Sequence, residues 1–425
     1  MRWWGSLGLL AAIRVAIPLA AYAGSNLPGT PQFIRPTRDG GLEGDATGFY
    51  AATREFMSAW GRMPRPLFAL VVIFVIAAAA AVVVLWRRQP AWRAWLAPAA
   101  LCAFGLAICV DVHWMNASGA AVFGWPLLWS LPMLPYRALG FGLSKHVAWD
   151  FGFALSLACV TLTVVAVAYL GRNATGRRWA GIAAAAFWTI WPLLVGAIAG
   201  HRAWANSQWN IEVGLHNYSE PLSTLLVTTG AALALSPRLT RLRLALAGCA
   251  LSAATLVKLS NALLAAAVLV LVFARGRTRE TLPYLAGALS LAPLVGAYWP
   301  ISYPKLFDNP QSWPRDPFDP AHIASSWTHS LVFTPHTLAI VLPFAAIGAA
   351  GLLRPWALAL VVALLLLNPF FYSFYANTAQ HPRFLYASLP ELFVLWAGGL
   401  IVLVRLLARR MTVSDRGGLV RDVSR

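Results

Sequence analysis

Charged residues are scarce in this chain. Asp, Glu, Lys and Arg make up 11% of its 425 residues, whereas soluble domains carry roughly 25%. Hydrophobic residues reach 59%, and the mean hydropathy is +0.65. This composition excludes an ordinary water-soluble globular protein, and it also excludes a disordered one.

Acidic residues are much fewer than basic ones, at 15 against 33, which gives a formal net charge of +18. Such an excess can indicate a nucleic-acid partner. In a membrane protein, however, basic residues are concentrated in the cytoplasmic loops. We therefore predict no nucleic-acid partner.

Cysteines are also few. The four of them, Cys102, Cys109, Cys159 and Cys249, all fall inside apolar runs. This placement favours packed free thiols over a disulfide framework or a zinc site.

Apolar runs near twenty residues recur along the whole length, and runs of that length can cross a bilayer as helices. We predict an all-α polytopic membrane protein with about 12 transmembrane helices and long extracytoplasmic loops. Residues 1–410 form a single transmembrane domain, followed by a short, polar and unstructured cytoplasmic tail over 411–425. The two short spans that flank Lys258 predict a tilted hairpin. The predicted spans are 6–24, 66–86, 94–112, 149–171, 179–200, 220–236, 243–257, 259–274, 281–300, 337–353, 355–374 and 385–404.

Basic residues predict the orientation of these spans. An even number of spans places both termini on one side, and the short loops on that side are rich in arginine. The positive-inside rule makes that side cytoplasmic, in the plasma (inner) membrane. The arginines assigned to it are Arg2, Arg87, Arg88, Arg93, Arg172, Arg177, Arg178, Arg238, Arg241, Arg243, Arg275, Arg277, Arg279, Arg354, Arg405, Arg409, Arg410, Arg416, Arg421 and Arg425.

The loops on the opposite, extracytoplasmic side are long, and they lie near 25–65, 113–148, 201–219 and 301–336. All eight histidines and most of the acidic residues lie on or next to this face. Groups suited to acid–base catalysis are therefore confined to one face. The greater length of these loops accounts for much of the bias. Even so, the pattern favours an active site on the extracytoplasmic face.

The first outer loop, 25–65, combines an acidic motif with an amphipathic run. Glu43 and Asp45 stand two residues apart in a glycine-rich segment. From Asp45 onward, helical spacing predicts a helix suited to lying on the membrane surface, with Asp45 capping its start. Its apolar face carries Phe49, Ala52, Phe56 and Trp60, and its polar face carries Arg54 and Glu55.

These features resemble the GT-C membrane glycosyltransferases, which use polyprenyl-phosphate sugars on the outer or lumenal face. Glu43-Gly44-Asp45 matches the ExD form of that family's acidic element. Segment 216–221 (HNYSEP) is similar to the start of a middle helix of the family, and 254–261 (ATLVKLSN) to its short hairpin with a basic residue at the tip. Segment 381–390 (HPRFLYASLP) is similar to the start of a late helix. The resemblance extends to about residue 404, without the sizeable soluble C-terminal domain that many members carry.

The resemblance implies an inverting transfer from a polyprenyl-phosphate sugar to an acceptor hydroxyl, by a mannosyl- or arabinosyltransferase-like enzyme. Asp45 is expected to act as the base, with Glu43 raising the pKa of Asp45 or orienting the acceptor. Arg383 and Lys258 are expected to bind the donor phosphate, with a further hydrogen bond from His381. Snorkelling to lipid headgroups is an equal explanation for Arg383.

Sugar and acceptor contacts are expected from a second group of residues near the outer face. Aromatic rings in this position also fit a membrane-interface belt. Glu220 is open to two further interpretations, since it can pair with Lys258 or simply favour the helix N-terminus. The group comprises Glu220, Tyr218, His216, Trp209 and Trp204.

No metal and no other cofactor is predicted. His322, His329 and His336 recur every seven residues near Asp316 and Asp319, which permits a divalent metal site, but solvated loop histidines are favoured. The expected partners are a polyprenyl-phosphate-linked donor of mannose or another hexose or pentose, membrane lipids, and an acceptor. The acceptor is a glycolipid, a cell-wall glycan or a protein.

Two other functions remain open. A polytopic transporter or lipid flippase would need charged residues in mid-membrane and often repeated halves, and here Arg14 and Glu391 are the main mid-span charges. A lipid-linked glycan ligase or polymerase would also work on the outer face, but it would use a diphosphate-linked donor. The acidic pair directly after the first span favours the glycosyltransferase.

Overall fold

The computed structural model describes residues 3–25, 45–116, 123–205, 219–275, 278–307, 319–323, 343–352, 355–374 and 385–421. Within these ranges the chain is made of α-helices joined by turns and short 3₁₀ segments, and it contains no β-strand. The predicted all-α class is confirmed.

Helices occupy most of the described ranges. They are α1 (Trp3–Ser25), α2 (Asp45–Arg62), α3 (Arg65–Arg88), α4 (Arg93–Val112), α5 (Gly124–Ala138), α6 (Lys145–Thr175), α7 (Arg178–Ala205), α8 (Glu220–Ala234), α9 (Arg241–Val257), α10 (Asn261–Ala274), α11 (Thr278–Ala288), α12 (Ala292–Phe307), α13 (Pro355–Ser373) and α14 (Leu389–Arg421). A 3₁₀ turn precedes α4 (Pro90–Trp92), another precedes α14 (Leu385–Ser388), and residues 343–349 form a further helical segment.

Seven stretches among the described residues are long and apolar enough to cross a membrane. This supports a membrane-embedded protein, while the predicted total of about 12 spans stays a prediction. The seven are Trp3–Ala20, Arg65–Arg88, Pro90–Val112, Lys145–Thr175, Arg279–Ile301, Pro355–Ser373 and Tyr386–Arg409.

The first correction concerns the loop predicted at 113–148, which contains helix α5. Three prolines, Pro126, Pro132 and Pro135, suggested an irregular segment. The helix forms because Trp125, Trp129 and Met133 are fully buried in the protein, and this burial outweighs the cost of the prolines. The indole Nε1 of Trp129 also donates a hydrogen bond of 2.8 Å to the carbonyl of Ala148 at the start of α6.

The second correction concerns helix α2. It begins at Asp45 and is amphipathic, as predicted. Its apolar residues Phe49, Ala52 and Phe56 are at most 6% exposed. They pack against α5 and its neighbours, so protein rather than the membrane surface covers this face.

The predicted span 281–300 is not one continuous helix. It divides into α11 and α12 at Leu289–Leu291. The hydroxyl of Ser290 donates to the carbonyl of Gly287, at 2.6 Å, and the backbone N–H of Leu291 donates to Ser252 Oγ, at 3.0 Å. These bonds satisfy backbone groups that a continuous helix would have paired internally.

Two helix ends also differ from the prediction. Helix α7 continues to Ala205, so Trp204 belongs to its last turn rather than to an outer loop. Helix α14 continues to Arg421, so most of the predicted unstructured tail at 411–425 is helical.

The largest core is formed mainly by α6, α7, α8, α9, α10, α13 and α14. Aromatic rings of α7 and α14 interlock there, with the rings of Trp191 and Phe393 5.3 Å apart. Elsewhere α9 and α11 cross closely at Gly248 and Gly287, where any β-carbon would come within 2.3 Å of the opposite backbone. Small residues allow such crossings in membranes, where packing holds helices together.

Candidate functional site

The described interior contains an ion pair between Glu220 and Lys258. Glu220 is the first residue of α8, and Lys258 ends α9 in an extended conformation. Lys258 Nζ lies 2.8 Å from Glu220 Oε1, and the two side chains are 11% and 1% exposed. The sequence had left this pairing open as one of three roles for Glu220, and the structure confirms the contact.

Contacts with neighbouring helices hold the turn around Lys258 in place. The Lys258 ammonium lies 5.9 Å from the ring centre of Tyr372, near the end of α13. The Tyr372 hydroxyl is 3.2 Å from Ser260 Oγ. Asn261 Nδ2 donates to Ser223 Oγ and to the carbonyl of Ala254, each at 2.8 Å. The turn over 258–260 is thus fixed to both α8 and α13.

The predicted hairpin at Lys258 is also confirmed. Helices α8, α9 and α10 have 15, 17 and 14 residues. At about 1.5 Å per residue they are roughly 22, 25 and 21 Å long, and the apolar layer of a bilayer is about 30 Å thick. One end of each helix lies next to an arginine: Arg238 follows α8, Arg241 begins α9, and Arg275 follows α10. If those arginines mark the cytoplasmic boundary, Glu220 and Lys258 lie roughly 5–9 Å below the outer one.

At that depth, each charge is stabilised by the opposite charge beside it. An isolated ammonium in the apolar layer is costly, and a partner carboxylate with hydrogen bonds offsets the cost. The position of Glu220 at the start of α8 adds a favourable interaction with the helix dipole. The arrangement therefore keeps a cation and an anion together at the start of α8 and the end of α9.

Helix α5 connects this ion pair to α2. A β-carbon on Gly124 would come within 2.8 Å of the backbone nitrogen of Val257, so the start of α5 lies directly on the residue before Lys258. The hydroxyl of Thr53 in α2 donates to the carbonyl of Pro126, at 3.3 Å. Tyr50 of α2, Leu222 of α8 and Val257 of α9 belong to one packed cluster, so α5 joins α2 to the helices that carry the Glu220–Lys258 pair.

The far end of α2 is fixed by a polar network that the sequence had not indicated. Glu55 pairs with Arg62 and also accepts a 2.7 Å hydrogen bond from the backbone N–H of Asn116. Arg62 donates to the carbonyl of Trp114, with Nη2 at 2.8 Å. These contacts tie the far end of α2 to the segment after α4.

The remaining predicted site residues divide into two groups. Asp45 is the first residue of α2, and Trp204 lies in the last turn of α7. The others lie outside the described residues, and their predicted roles stay predictions: Glu43, Trp209, His216, Tyr218, His381 and Arg383.

Tyr372, Asn261 and Ser223 are the residues that the sequence analysis missed. Each lies inside an apolar run, where a single polar side chain is easily taken for a tolerated exception. Asn261 carried a detectable signal, since it follows Lys258 by three residues at the tip of the predicted hairpin. Tyr372 carried none, because its contact with the hairpin joins segments more than one hundred residues apart.

Within the described ranges no three His, Cys, Asp or Glu side chains come close enough together to hold a metal ion. The prediction of a metal-independent reaction stays a prediction.

Comparison of the chain with protein-family models, curated proteins and solved structures finds no match.

Proposed function

We propose that this protein is a membrane glycosyltransferase of the GT-C type. It moves a sugar, mannose or another hexose or pentose, from a polyprenyl-phosphate donor to an acceptor hydroxyl on the outer face, with inversion. One observation carries the proposal. The helix that begins at Asp45 packs on α5, and the start of α5 lies against the residue before Lys258, which forms a buried ion pair with Glu220.

In the proposed reaction the acceptor oxygen forms a bond to the anomeric carbon as the bond from that carbon to the phosphate oxygen breaks. The acceptor proton passes to the carboxylate of Asp45, and the electron pair leaves with the polyprenyl phosphate. Lys258 stabilises the charge on the departing phosphate. Glu220 holds Lys258 in position until the phosphate arrives.

The remaining roles follow the resemblance of the sequence to the GT-C family. Glu43 assists Asp45, and Arg383 with His381 completes the phosphate site. Tyr218, His216, Trp209 and Trp204 contact the sugar or the acceptor. The acceptor is a glycolipid, a cell-wall glycan or a protein, and no metal takes part.

The first experiment is a transfer assay in membranes with radiolabelled polyprenyl-phosphate sugars. Wild type is expected to move label from one donor of a panel of mannose, arabinose, glucose and aminoarabinose donors. Asp45→Asn is expected to lower transfer by about 100-fold or more, since a general base contributes typically 10²–10⁴-fold.

Glu55→Gln is the matched control. It changes an acid on the same helix that pairs with Arg62, and the amide oxygen still accepts a hydrogen bond. It should retain transfer within a few-fold. Full activity in Asp45→Asn would exclude Asp45 as the base, and no transfer from any donor would overturn the proposed class.

A transporter or lipid flippase is the second candidate, and a specific observation favours it. Arg14 in α1 and Glu391 in α14 are both fully buried inside apolar helices. Arg14 donates to the hydroxyl of Tyr386 at 3.2 Å and lies 5.0 Å from the ring centre of Trp188. Intramembrane charges often mark a transport path. Glu391→Gln distinguishes the two, because it should abolish transport but leave glycosyl transfer unchanged.

A further inference from the structure

A groove of about 870 Å³ lies between α6 and α8, and it extends along α8 from Leu225 to the α8–α9 turn, away from Glu220 at the start of that helix. At one end its walls are apolar and include Leu162 and Leu225. At the other end three arginines, Arg172, Arg238 and Arg243, converge from α6, from the α8–α9 turn and from α9. The groove is therefore apolar along its length and cationic at one mouth.

The length of the groove matches a single membrane leaflet. Leu162 and Arg172 are ten residues apart on one helix, which corresponds to about 15 Å. The apolar layer is about 30 Å thick, so a groove of this length whose arginines lie at one boundary reaches about mid-membrane. That boundary carries the arginine-rich loops which the positive-inside rule assigns to the cytoplasm.

The three arginines are held in place by the protein. Arg243 donates to the carbonyl of Arg238 at 2.7 Å and to the hydroxyl of Ser236. The guanidinium of Arg172 lies 5.8 Å from the ring centre of Trp3. None of these contacts neutralises the charge, and none of the described residues that line the groove is acidic.

The start of α9 increases the positive potential at this mouth. Thr240 caps the helix, and its hydroxyl accepts a 3.2 Å hydrogen bond from the Arg243 backbone N–H. A helix N-terminus carries partial positive charge and normally attracts acidic residues. Here its first turn instead carries Arg241 and Arg243. An anion at the mouth relieves this accumulation of positive charge.

We propose that this groove binds one anionic phospholipid of the arginine-side leaflet. An acyl chain lies between α6 and α8, and the phosphate contacts Arg172, Arg238 and Arg243. The depth of one leaflet fits a phospholipid chain, whereas a polyprenyl chain is much longer. The phosphate of the proposed sugar donor would lie at the opposite face, so this site is separate from the proposed reaction.

Native mass spectrometry of the purified full chain, titrated with dioleoylphosphatidylglycerol or dioleoylphosphatidylcholine, tests the proposal. The first phosphatidylglycerol is expected to bind at least tenfold more tightly than the first phosphatidylcholine. Arg238→Ala should weaken phosphatidylglycerol binding about fivefold, and the triple alanine variant of the three arginines by about 100-fold, at about 1 kcal/mol per basic residue.

Two further variants test whether lipid binding depends on the groove itself or on positive charge in general. Arg87→Ala with Arg88→Ala removes two exposed arginines at the end of α3, outside the groove lining, and should leave tight binding unchanged. Thr229→Trp fills the groove from α8 while keeping every arginine, and it should abolish the tight site. Size-exclusion profiles identify any variant that fails to fold.

Three outcomes would overturn the proposal. The first is equal affinity for the two phospholipids. The second is equal weakening by the α3 variant and the groove variants. The third is displacement of phosphatidylglycerol by undecaprenyl phosphate at equimolar concentration, which would assign the groove to an isoprenoid lipid.

Discussion

Glu220 and Lys258 show what a single pair of residues contributes to this molecule. Each lies at the end of a short helix, and each would be costly in the apolar layer without the other. Their pairing explains how these two charged residues are accommodated inside a largely apolar bundle. It does not by itself separate a structural role from a functional one.

A double-mutant cycle separates the two roles. Glu220→Gln or Lys258→Met alone should destabilise the protein by about 3–5 kcal/mol, because each leaves an uncompensated buried charge. The double variant should recover much of that loss, since neither charge remains. The measurement is the midpoint of thermal aggregation in detergent for all four proteins.

Glycosyl transfer should follow a different pattern in the same four proteins. The recovered stability of the double variant should not restore activity if Lys258 binds the donor phosphate. Normal transfer by a stable double variant would assign the pair a purely structural role.

At the scale of elements, α5 determines whether α2 reaches the site. Its first residue, Gly124, lies against the backbone of Leu256 and Val257, closer than any β-carbon allows. The same helix accepts a hydrogen bond from Thr53 of α2. A shift of α5 would therefore move α2, and with it Asp45.

Gly124→Val is expected to displace α5 and to cost about 1–3 kcal/mol by overpacking. Transfer activity should fall more than stability, because the base at the start of α2 moves relative to Lys258. Gly61→Ala, in α2 and with no atom within 4 Å of the new β-carbon, is the matched control. If both variants keep full transfer, the position of α5 does not matter for the site.

The sequence predicted most of the helices, because the length and apolarity of a run of residues are enough to indicate a helix. The bounds of α3, α4 and α13 lie within a few residues of their predicted spans. Helix α5 was missed because its prolines indicate a loop, and its stability comes from burial of Trp125 and Trp129 against distant segments. Such burial is not visible in the local sequence.

The site was predictable only in part, for a related reason. Glu220 and Lys258 stood out because charges are rare in apolar runs and because both lie at predicted span ends. Their pairing was one of several options until the packing of α8 against α9 was known. The contact of Tyr372 with the hairpin depends wholly on tertiary packing.

At the scale of the whole molecule, the arginine distribution predicts which face is cytoplasmic. Leu139, in the turn after α5, and Gln89, between α3 and α4, are exposed residues on opposite predicted faces. In intact cells, a membrane-impermeant maleimide should label Leu139→Cys and spare Gln89→Cys. The wild-type protein, whose cysteines lie in apolar helices, gives the background.

Permeabilisation should then make Gln89→Cys reactive as well. The reverse labelling pattern would invert the orientation. It would also place the Glu220–Lys258 pair on the cytoplasmic side, where a donor presented at the outer face could not reach it.

Helix α10 has a consequence for the surrounding lipid. Its exposed side chains Leu263, Val270 and Phe273 face outward, yet at roughly 21 Å it is about 9 Å shorter than an ordinary apolar layer. Lipids beside such a short helix adapt by local thinning of the bilayer.

The thinned bilayer would therefore form one wall of the site. Its surface would lie deeper beside Lys258, and a lipid-linked phosphate would come closer to that residue. Transfer should then depend on membrane thickness, being faster in dimyristoyl- than in dierucoylphosphatidylcholine vesicles at equal protein content. Equal rates in the two would show that this thinning has no part in substrate delivery.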